Sequence, residues 1–144
     1  MNQGREHAQA PRLVALATAH PRYDLPQEEV ARNGADLFAL THGGFDRLAP
    51  VYKNAEIENR HSCVPIDWYL APHTFGERND LFLKNAVELL REAAVKALDE
   101  AGLAPSDIDA IVTVCSTGVA TPALDARLMQ VLPFRRDEIG RAHV

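Results

Sequence analysis

The chain has 144 residues and a formal net charge of −5, and 47% of its residues are hydrophobic against 24% charged. These proportions are typical of one globular domain and exclude wholesale disorder. The acidic balance argues against a nucleic-acid partner, and no apolar run approaches the roughly 20 residues that span a membrane. Without a signal-peptide core or a disulfide framework, we expect a cytoplasmic protein in which Cys63 and Cys115 are free thiols.

The first 55 residues predict a loose terminus, a strand and two helices. Residues 1–10 are polar and unpatterned, as at a flexible N-terminus. Arg12–Ala19 is small, apolar and of strand length, and the proline two residues later ends it. A proline followed by acids predicts a helix start over Tyr23–Glu29, and this helix continues to Gly43-Gly44. A shorter helix, interrupted by a proline, follows over residues 45–55.

The middle of the chain predicts an irregular segment and then one long helix. Residues 54–63 show no clear period. Over residues 81–101, apolar side chains recur at steps of three and four, as on the buried face of a helix. Thr74 is the expected N-cap of this helix, and Gly102 is expected to end it in a left-handed conformation.

The most informative stretch begins with Ala110–Cys115, an apolar and β-branched run with almost no alternation. This pattern predicts a strand buried on both faces of a mostly parallel sheet. The loop that follows would lie at the sheet edge where open α/β folds bind ligands, and Ala123–Leu132 predicts a last helix. The order of elements makes an α/β domain, but two strands are too few to close a sheet. We therefore expect part of something larger.

The loop after the predicted strand carries the candidate site residues. Cys115 lies at the strand end, but the sequence places no base or cation beside it. A small buried hydrophobe is therefore favoured over a nucleophile. Ser116 and Thr117 lack the pattern of a nucleophile elbow, so they are interpreted as pocket lining or as turn-stabilising hydroxyls. The six histidines show no metal-ligand spacing, and no metal site is predicted.

Several segments together resemble the type III polyketide synthases, the chalcone-synthase-like branch of the thiolase fold. Ala17-Thr18-Ala19-His20-Pro21 and then Leu25-Pro26-Gln27 resemble the opening strand and first helix of that family. Asn54–His61 is similar to its Ile-x-x-Arg-[His/Tyr] segment. The most specific match is Cys115–Leu128, which contains a Ser-Thr-Gly-x-x-x-Pro pattern. The resemblance covers about residues 11–133.

The resemblance implies a thiolase-like α/β fold, αβαβα in the intact enzyme, of which this chain holds only the N-terminal part. It implies a homodimeric acyltransferase that condenses malonyl-CoA units onto an acyl-CoA starter, giving an alkylpyrone- or alkylresorcinol-type product. No cofactor is implied beyond these CoA thioester substrates. The catalytic Cys, His and Asn of the family belong to the part after Pro133-Phe134, so the resemblance leaves this chain no catalytic residue and, alone, no activity.

The resemblance also implies roles for five residues. Ser116 and Thr117 match positions that border the cavity in which the growing polyketide folds. Thr121 matches a residue that, aided by an unusual peptide bond before the following proline, reaches across the dimer interface into the partner's cavity. Arg47 matches a basic position that binds CoA phosphates, and Lys53 lies one place from another such position. Without the resemblance, both cations would be interpreted as solvated charges.

The predicted organisation is a flexible N-terminus (residues 1–10), the N-terminal part of a synthase domain (residues 11–136) and a tail (residues 137–144). The tail fits no continuation of the family, and Ile139–Val144 resembles the translation of a DNA-sequencing adaptor. We therefore predict that the tail is not native. Two alternatives stay open for the function: a ketoacyl-synthase III-like acyltransferase, and a non-catalytic thiolase-like subunit that dimerises or binds CoA.

Overall fold

The structure, a computed structural model, describes residues 10–41, 49–135 and 139–143. Its elements in chain order are strand β1 (Tyr23–Pro26), helix α1 (Gln27–Thr41), helix α2 (Ala49–Asn54), strand β2 (Asn59–Ser62), helix α3 (Phe75–Ala101), strand β3 (Ala110–Val114), helix α4 (Leu124–Val131) and strand β4 (Ile139–His143). Short 3-10 turns span Ile66–Leu70 and Pro105–Asp107. No helix in the described ranges is long and apolar enough to cross a membrane.

Strands β1 and β2 form an antiparallel pair, and α1 and α2 lie between them in the sequence. Tyr23 lies opposite Ser62, and Asp24 lies opposite His61. The Asp24 Oδ1 and His61 Nδ1 atoms are 2.6 Å apart, and such directly opposed polar pairs stabilise a sheet. Leu25, whose side chain is buried, contributes to the small core beneath this pair.

Gln27 joins the start of α1 to the two neighbouring elements. Its backbone N–H donates to the Glu58 carbonyl at 2.8 Å, and its side-chain Nε2 donates to the Tyr52 carbonyl at 2.9 Å. The Gln27 Oε1 atom accepts from Nε of Arg60 at 2.7 Å. Because Gln27 is buried, these bonds satisfy an amide that would otherwise be costly to bury. Arg60, part of the segment named above for the resemblance, therefore connects β2 to the start of α1.

The first half of the chain confirms some predictions and corrects others. The helix start predicted within Tyr23–Glu29 is confirmed, since α1 begins at Gln27, but the residues before it form β1 and pair with β2. Residues 59–62, within the segment predicted to be irregular, form β2. The helix predicted over residues 45–55 is described from Ala49 to Asn54. The end of the first predicted helix, near Gly43-Gly44, lies outside the described residues.

The run Arg12–Ala19 was expected to be a strand, and in the structure it pairs with no strand of the described ranges. From Ala15 onward its side chains alternate between half-buried and exposed, which is the period of a strand. An apolar groove of about 390 Å³ lies between this run and β3. The groove separates the two segments, so the run has strand-like alternation without a hydrogen-bonded neighbour.

Helix α3 confirms its sequence prediction at both ends. The Thr74 hydroxyl oxygen accepts from the Glu77 N–H at 3.2 Å, and the Glu77 carboxylate accepts from the Thr74 N–H at 2.7 Å. This reciprocal arrangement is a capping box. Gly102 follows the helix at φ 67°, where glycine is free of the Cβ penalty. The buried side chains of Leu98 and Leu128 lie where α3 packs on α4.

Strand β3 confirms the strand predicted over Ala110–Cys115, although its burial among the described residues is one-sided. Thr113 is buried, whereas Val112 and Val114 are 61% and 78% exposed. Alternate side chains point to opposite faces, so α4 covers one face and the described residues leave the other open. Burial on both faces is therefore not met within the described residues, and for the intact protein it stays a prediction.

Strand β4 runs parallel to β3, with Ala110 opposite Ile139 and Val114 opposite His143. Main-chain hydrogen bonds can add almost any segment to an open strand edge. The pairing therefore does not test whether residues 137–144 are native, and the non-native tail stays a prediction.

Candidate functional site

The β3–α4 loop, residues Cys115–Ala123, brings three of the predicted site residues together. Ser116, Thr117 and Thr121 all lie on this loop, and all three are exposed. The peptide bond between Thr121 and Pro122 is cis, at the position where the resemblance implied an unusual bond. The loop therefore exposes three hydroxyl side chains to solvent beyond the carboxyl end of β3.

Asn79 of α3 binds the middle of the loop through both ends of its side-chain amide. Its Nδ2 donates to the Val119 carbonyl at 3.0 Å, and its Oδ1 accepts from the Val119 N–H at 2.9 Å. The amide thus satisfies both main-chain groups of one residue, as a neighbouring strand would. Val119 is consequently tied to α3 although its own side chain is 61% exposed.

Phe82 lies one helical turn after Asn79 and packs against Gly118. A Cβ atom built at Gly118 would approach the Phe82 ring to 2.2 Å. Only glycine therefore allows the loop backbone to lie this close to the ring. Positions i and i+3 share one face of a helix, so one face of α3 supplies both contacts.

Arg127 of α4 binds the other end of the loop. Its Nε donates to the Pro122 carbonyl at 2.9 Å, and its Nη2 donates to the Thr121 carbonyl at 3.1 Å. These bonds fix the carbonyls on both sides of the proline ring. They also satisfy acceptors that would otherwise need water.

Sequence reasoning did not identify Asn79, Phe82 or Arg127. A partial signal existed for Arg127, because a cation in the first turn of a helix opposes the macrodipole and so suggests a specific partner. Asn79 gave no local signal, since its partner is 40 residues away. The glycine of the Ser-Thr-Gly pattern is compatible with a close approach of the backbone, but it does not identify the residue approached.

The surroundings of Cys63 and Cys115 favour structural roles over catalytic ones. The Cys115 sulfur accepts from the Thr117 N–H at 3.4 Å, a contact within the turn at the strand end. Burial raises the pKa of the Cys63 thiol, which keeps it protonated and weakly nucleophilic. The described residues contain no group of three His, Cys, Asp or Glu side chains that could hold a metal ion.

Of the two predicted CoA-binding cations, the structure describes only Lys53, and no contact places it at the loop. Lys53 is exposed near the end of α2, which packs on α1, whereas the loop packs on α3 and α4. Arg47 lies outside the described residues. Their assignment therefore stays a prediction.

Asp125 is a buried carboxylate at the start of α4. It is only 6% exposed, and its Oδ1 has no hydrogen-bond partner among the described residues. The positive end of the helix macrodipole favours a negative charge at this position.

No protein-family model matches the chain, but curated relatives do. The chain is 37% identical over 127 residues to a 1,3,6,8-tetrahydroxynaphthalene synthase of Streptomyces peucetius subsp. caesius, covering 87% of the chain and 33% of that protein. It is 31% identical over 127 residues to a putative chalcone synthase of Bacillus subtilis, covering 85% of the chain and 35% of that protein. The chain thus spans about a third of the length of these relatives.

A solved structure gives the same relationship. The crystal structure of 1,3,6,8-tetrahydroxynaphthalene synthase from Streptomyces coelicolor, described as a bacterial type III polyketide synthase, matches with a TM-score of 0.79 at 25% identity. The match covers 90% of this chain and 38% of that one. The chain therefore has the thiolase-like fold, over the part that it spans. By sequence and by structure it belongs with the type III polyketide synthases, and the coverage fits their N-terminal part.

Proposed function

We propose that the intact protein is a type III polyketide synthase that condenses malonyl-CoA units onto an acyl-CoA starter. The observation that carries the proposal is the 37% identity to a tetrahydroxynaphthalene synthase. Relatives named phloroglucinol synthase and 3,5-dihydroxyphenylacetyl-CoA synthase support the same class. We propose an alkylpyrone- or alkylresorcinol-type product and a cytoplasmic homodimer.

The described residues supply part of a product cavity rather than the reacting groups. Carbon–carbon bond formation through a thioester needs an activated nucleophile and groups that stabilise the developing oxyanion. The Cys115 sulfur accepts a hydrogen bond from the Thr117 N–H within the turn, a contact that supplies no base to activate the thiol. We therefore assign the condensation to Cys, His and Asn groups beyond Phe134, and expect these 144 residues alone to be inactive.

The direct test is to incubate the intact protein with a long-chain acyl-CoA and malonyl-CoA and to identify the products by mass spectrometry. We expect polyketides without any acyl carrier protein. Products that form only from malonyl-acyl carrier protein would favour a ketoacyl-synthase III-like enzyme instead. CoA binding without condensation would favour a non-catalytic subunit, as would a gene that encodes no Cys-containing nucleophile turn after Phe134.

For CoA binding, we propose that Arg47 holds a phosphate of CoA with help from Lys53, because a guanidinium matches phosphate geometry. Arg47→Ala should raise KM for both CoA substrates by about tenfold, because one charge-assisted hydrogen bond is lost. It should change kcat little. Arg32→Ala, which removes an exposed arginine of α1, is the matched control. Unchanged KM values would return Arg47 to a solvated charge.

For the cavity, we propose that Ser116 and Thr117 border it and that Thr121 enters the cavity of the partner subunit. Thr121→Phe should then give shorter products from the same starter, because added bulk in a packed cavity removes room for the chain. Thr121→Ser keeps the small hydroxyl and should preserve the product profile. An unchanged profile in Thr121→Phe would leave Thr121 as a turn residue before proline.

A further inference from the structure

We propose that Asn79 and Arg127 are positioning residues that set the direction of the Thr121 side chain, and through it the length of the product. The part about product length rests on the proposed function. The part about positioning rests on the contacts of the β3–α4 loop alone. Neither residue is assigned to touch substrate.

The contact of Asn79 is specific in a way that a surface asparagine normally is not. One amide binds both main-chain groups of Val119, at 3.0 and 2.9 Å. Asn85, two turns further along α3, instead donates to the Leu81 carbonyl of its own helix at 2.8 Å. The two asparagines therefore share a helix and a chemistry, but only Asn79 connects α3 to the loop.

Arg127 completes the attachment from the opposite side. It binds the carbonyls of Thr121 and Pro122, although a cation in the first turn of α4 is unfavourable for the helix macrodipole. A structural role within the helix would not explain its position. The two carbonyls in the loop do explain it.

The combined effect falls on Thr121. Its backbone is fixed on one side by Val119, two residues earlier, and on the other side by its own carbonyl and that of Pro122. Only Ala120 lies between the two attachments. Since the direction of a Cα–Cβ bond follows from the backbone around it, these contacts determine where the Thr121 side chain lies. Gly118 allows the loop to lie against the Phe82 ring, and the ring prevents a closer approach to α3.

The test compares Asn79→Ala and Arg127→Gln with Asn85→Ala in the intact enzyme. Three quantities are measured: the ratio of the two main product lengths from one starter, KM for that starter, and hydrogen exchange of the Val119 amide. In Asn79→Ala we expect the product ratio to change about threefold and Val119 exchange to accelerate about tenfold, with KM nearly constant. Arg127→Gln should shift the product ratio similarly, and Asn85→Ala should change none of the three.

A second comparison separates positioning from a general loss of structure. If Asn79 acts through Thr121, Asn79→Ala should have no further effect on product length in a Thr121→Ala background. Asn79→Gln keeps the amide on a longer side chain and should retain part of the contact with Val119, so it should give an intermediate shift even where Asn79→Ala fails to fold.

The proposal is overturned if Val119 exchange in Asn79→Ala equals that of the wild type. It is also overturned if the product ratio stays constant, or shifts equally in the Thr121→Ala background. A wild-type protein that makes no polyketide would refute the proposed function, and with it the link to product length. Val119 exchange would still decide, separately, whether Asn79 positions the loop.

Discussion

The β3–α4 loop is bound by side chains from two helices of this chain, whereas β3, the strand before it, leaves one face uncovered. Asn79 and Arg127 attach the loop at both ends. On β3, Val112 and Val114 are 61% and 78% exposed. A loop is usually less ordered than the strand it follows. Here side chains of the same chain fix the conformation of the loop, whereas the described residues leave one face of the strand uncovered.

The uncovered area of β3 is not isolated. Leu13 and Leu16 of the N-terminal run are 81% and 74% exposed, and Val14 and Val112 border the same apolar groove. Contiguous apolar surface of this kind normally marks a region that is covered in the working protein. The site loop can therefore be placed by local contacts, while the strand that supports it depends on further structure.

The largest expected effect concerns the open face of β3. These 144 residues alone should bind hydrophobic dyes and melt without cooperativity, because the exposed apolar face favours association. The double variant Val112→Thr and Val114→Thr should bind less dye. In the intact protein the same change should destabilise the fold by about 1–2 kcal/mol for each valine, since buried apolar area is lost.

Val119→Thr is the matched control, because Val119 is 61% exposed on the loop rather than on the strand. It should change neither dye binding nor stability appreciably. Dye fluorescence and denaturant unfolding give the two readouts. A cooperative melt of the 144-residue chain, or a stabilising effect of the double variant in the intact enzyme, would show that the open face of β3 needs no cover.

The next effect concerns the close approach of the loop to α3. Gly118→Ala should destabilise the intact enzyme by about 1–3 kcal/mol, the usual cost of overpacking, because the new Cβ would meet the Phe82 ring. Gly76 lies in the first turn of α3, and a Cβ atom built there would have the Thr74 hydroxyl oxygen as its neighbour, at 3.9 Å. Gly76→Ala therefore introduces no clash. It should stabilise by about 0.5–1 kcal/mol through helix propensity.

The opposite signs of the two glycine substitutions are the observation to check by denaturant unfolding. Phe82→Leu should restore part of the stability of Gly118→Ala, because the ring is the atom group that the new Cβ meets. If Gly118→Ala is neutral, or if Phe82→Leu gives no relief, the loop does not lie against Phe82 as described.

Helix α3 shows which part of the fold the sequence could predict. Its cap at Thr74, its apolar period and its end at Gly102 all depend on residues within a few positions of one another. Interactions of that range leave a pattern in the sequence itself. For the same reason the last helix, predicted over Ala123–Leu132, is observed at Leu124–Val131.

The β1–β2 pair shows why other parts of the fold could not be predicted. Strand β2 is Asn-Arg-His-Ser, four polar residues with no alternation, and it is a strand only because β1 pairs with it. The signals of the following helix, Pro26 and the acids after it, concealed β1. Conversely, Arg12–Ala19 has strand composition but no strand neighbour among the described residues, and pairing is what defines a strand.

The candidate site also divides into residues that the sequence could predict and residues that it could not. Ser116, Thr117 and Thr121 were located from the end of a strand and from a family resemblance. Asn79 and Arg127 were not, because a polar side chain that binds a distant backbone leaves no periodic trace. Contacts between residues far apart in sequence are the part of a site that single-sequence reasoning misses most readily.

The smallest expected effect tests the cap of the helix that holds the loop. Thr74→Ala removes one half of the capping box and should destabilise the intact protein by about 1 kcal/mol. Thr74→Ser keeps the hydroxyl and should be close to neutral. Because Asn79 lies in the second turn of α3, Thr74→Ala should also accelerate Val119 amide exchange slightly, but less than Asn79→Ala does.

The pH dependence of this effect follows from Glu77. The Thr74 backbone N–H, and next the Thr74 hydroxyl, hold the pKa of the Glu77 carboxyl below its usual value. A lowered pKa in the folded state gives stability that is present above the unfolded pKa and is lost as the pH falls through the folded one. The difference between wild type and Thr74→Ala should therefore be largest near pH 7 and shrink below about pH 4, where free glutamate takes up its proton. Unfolding curves at several pH values measure this difference. A difference that stays constant down to pH 3 would mean that the Thr74 hydroxyl does not bond the Glu77 carboxylate, and that this hydroxyl caps α3 only by accepting from the Glu77 N–H.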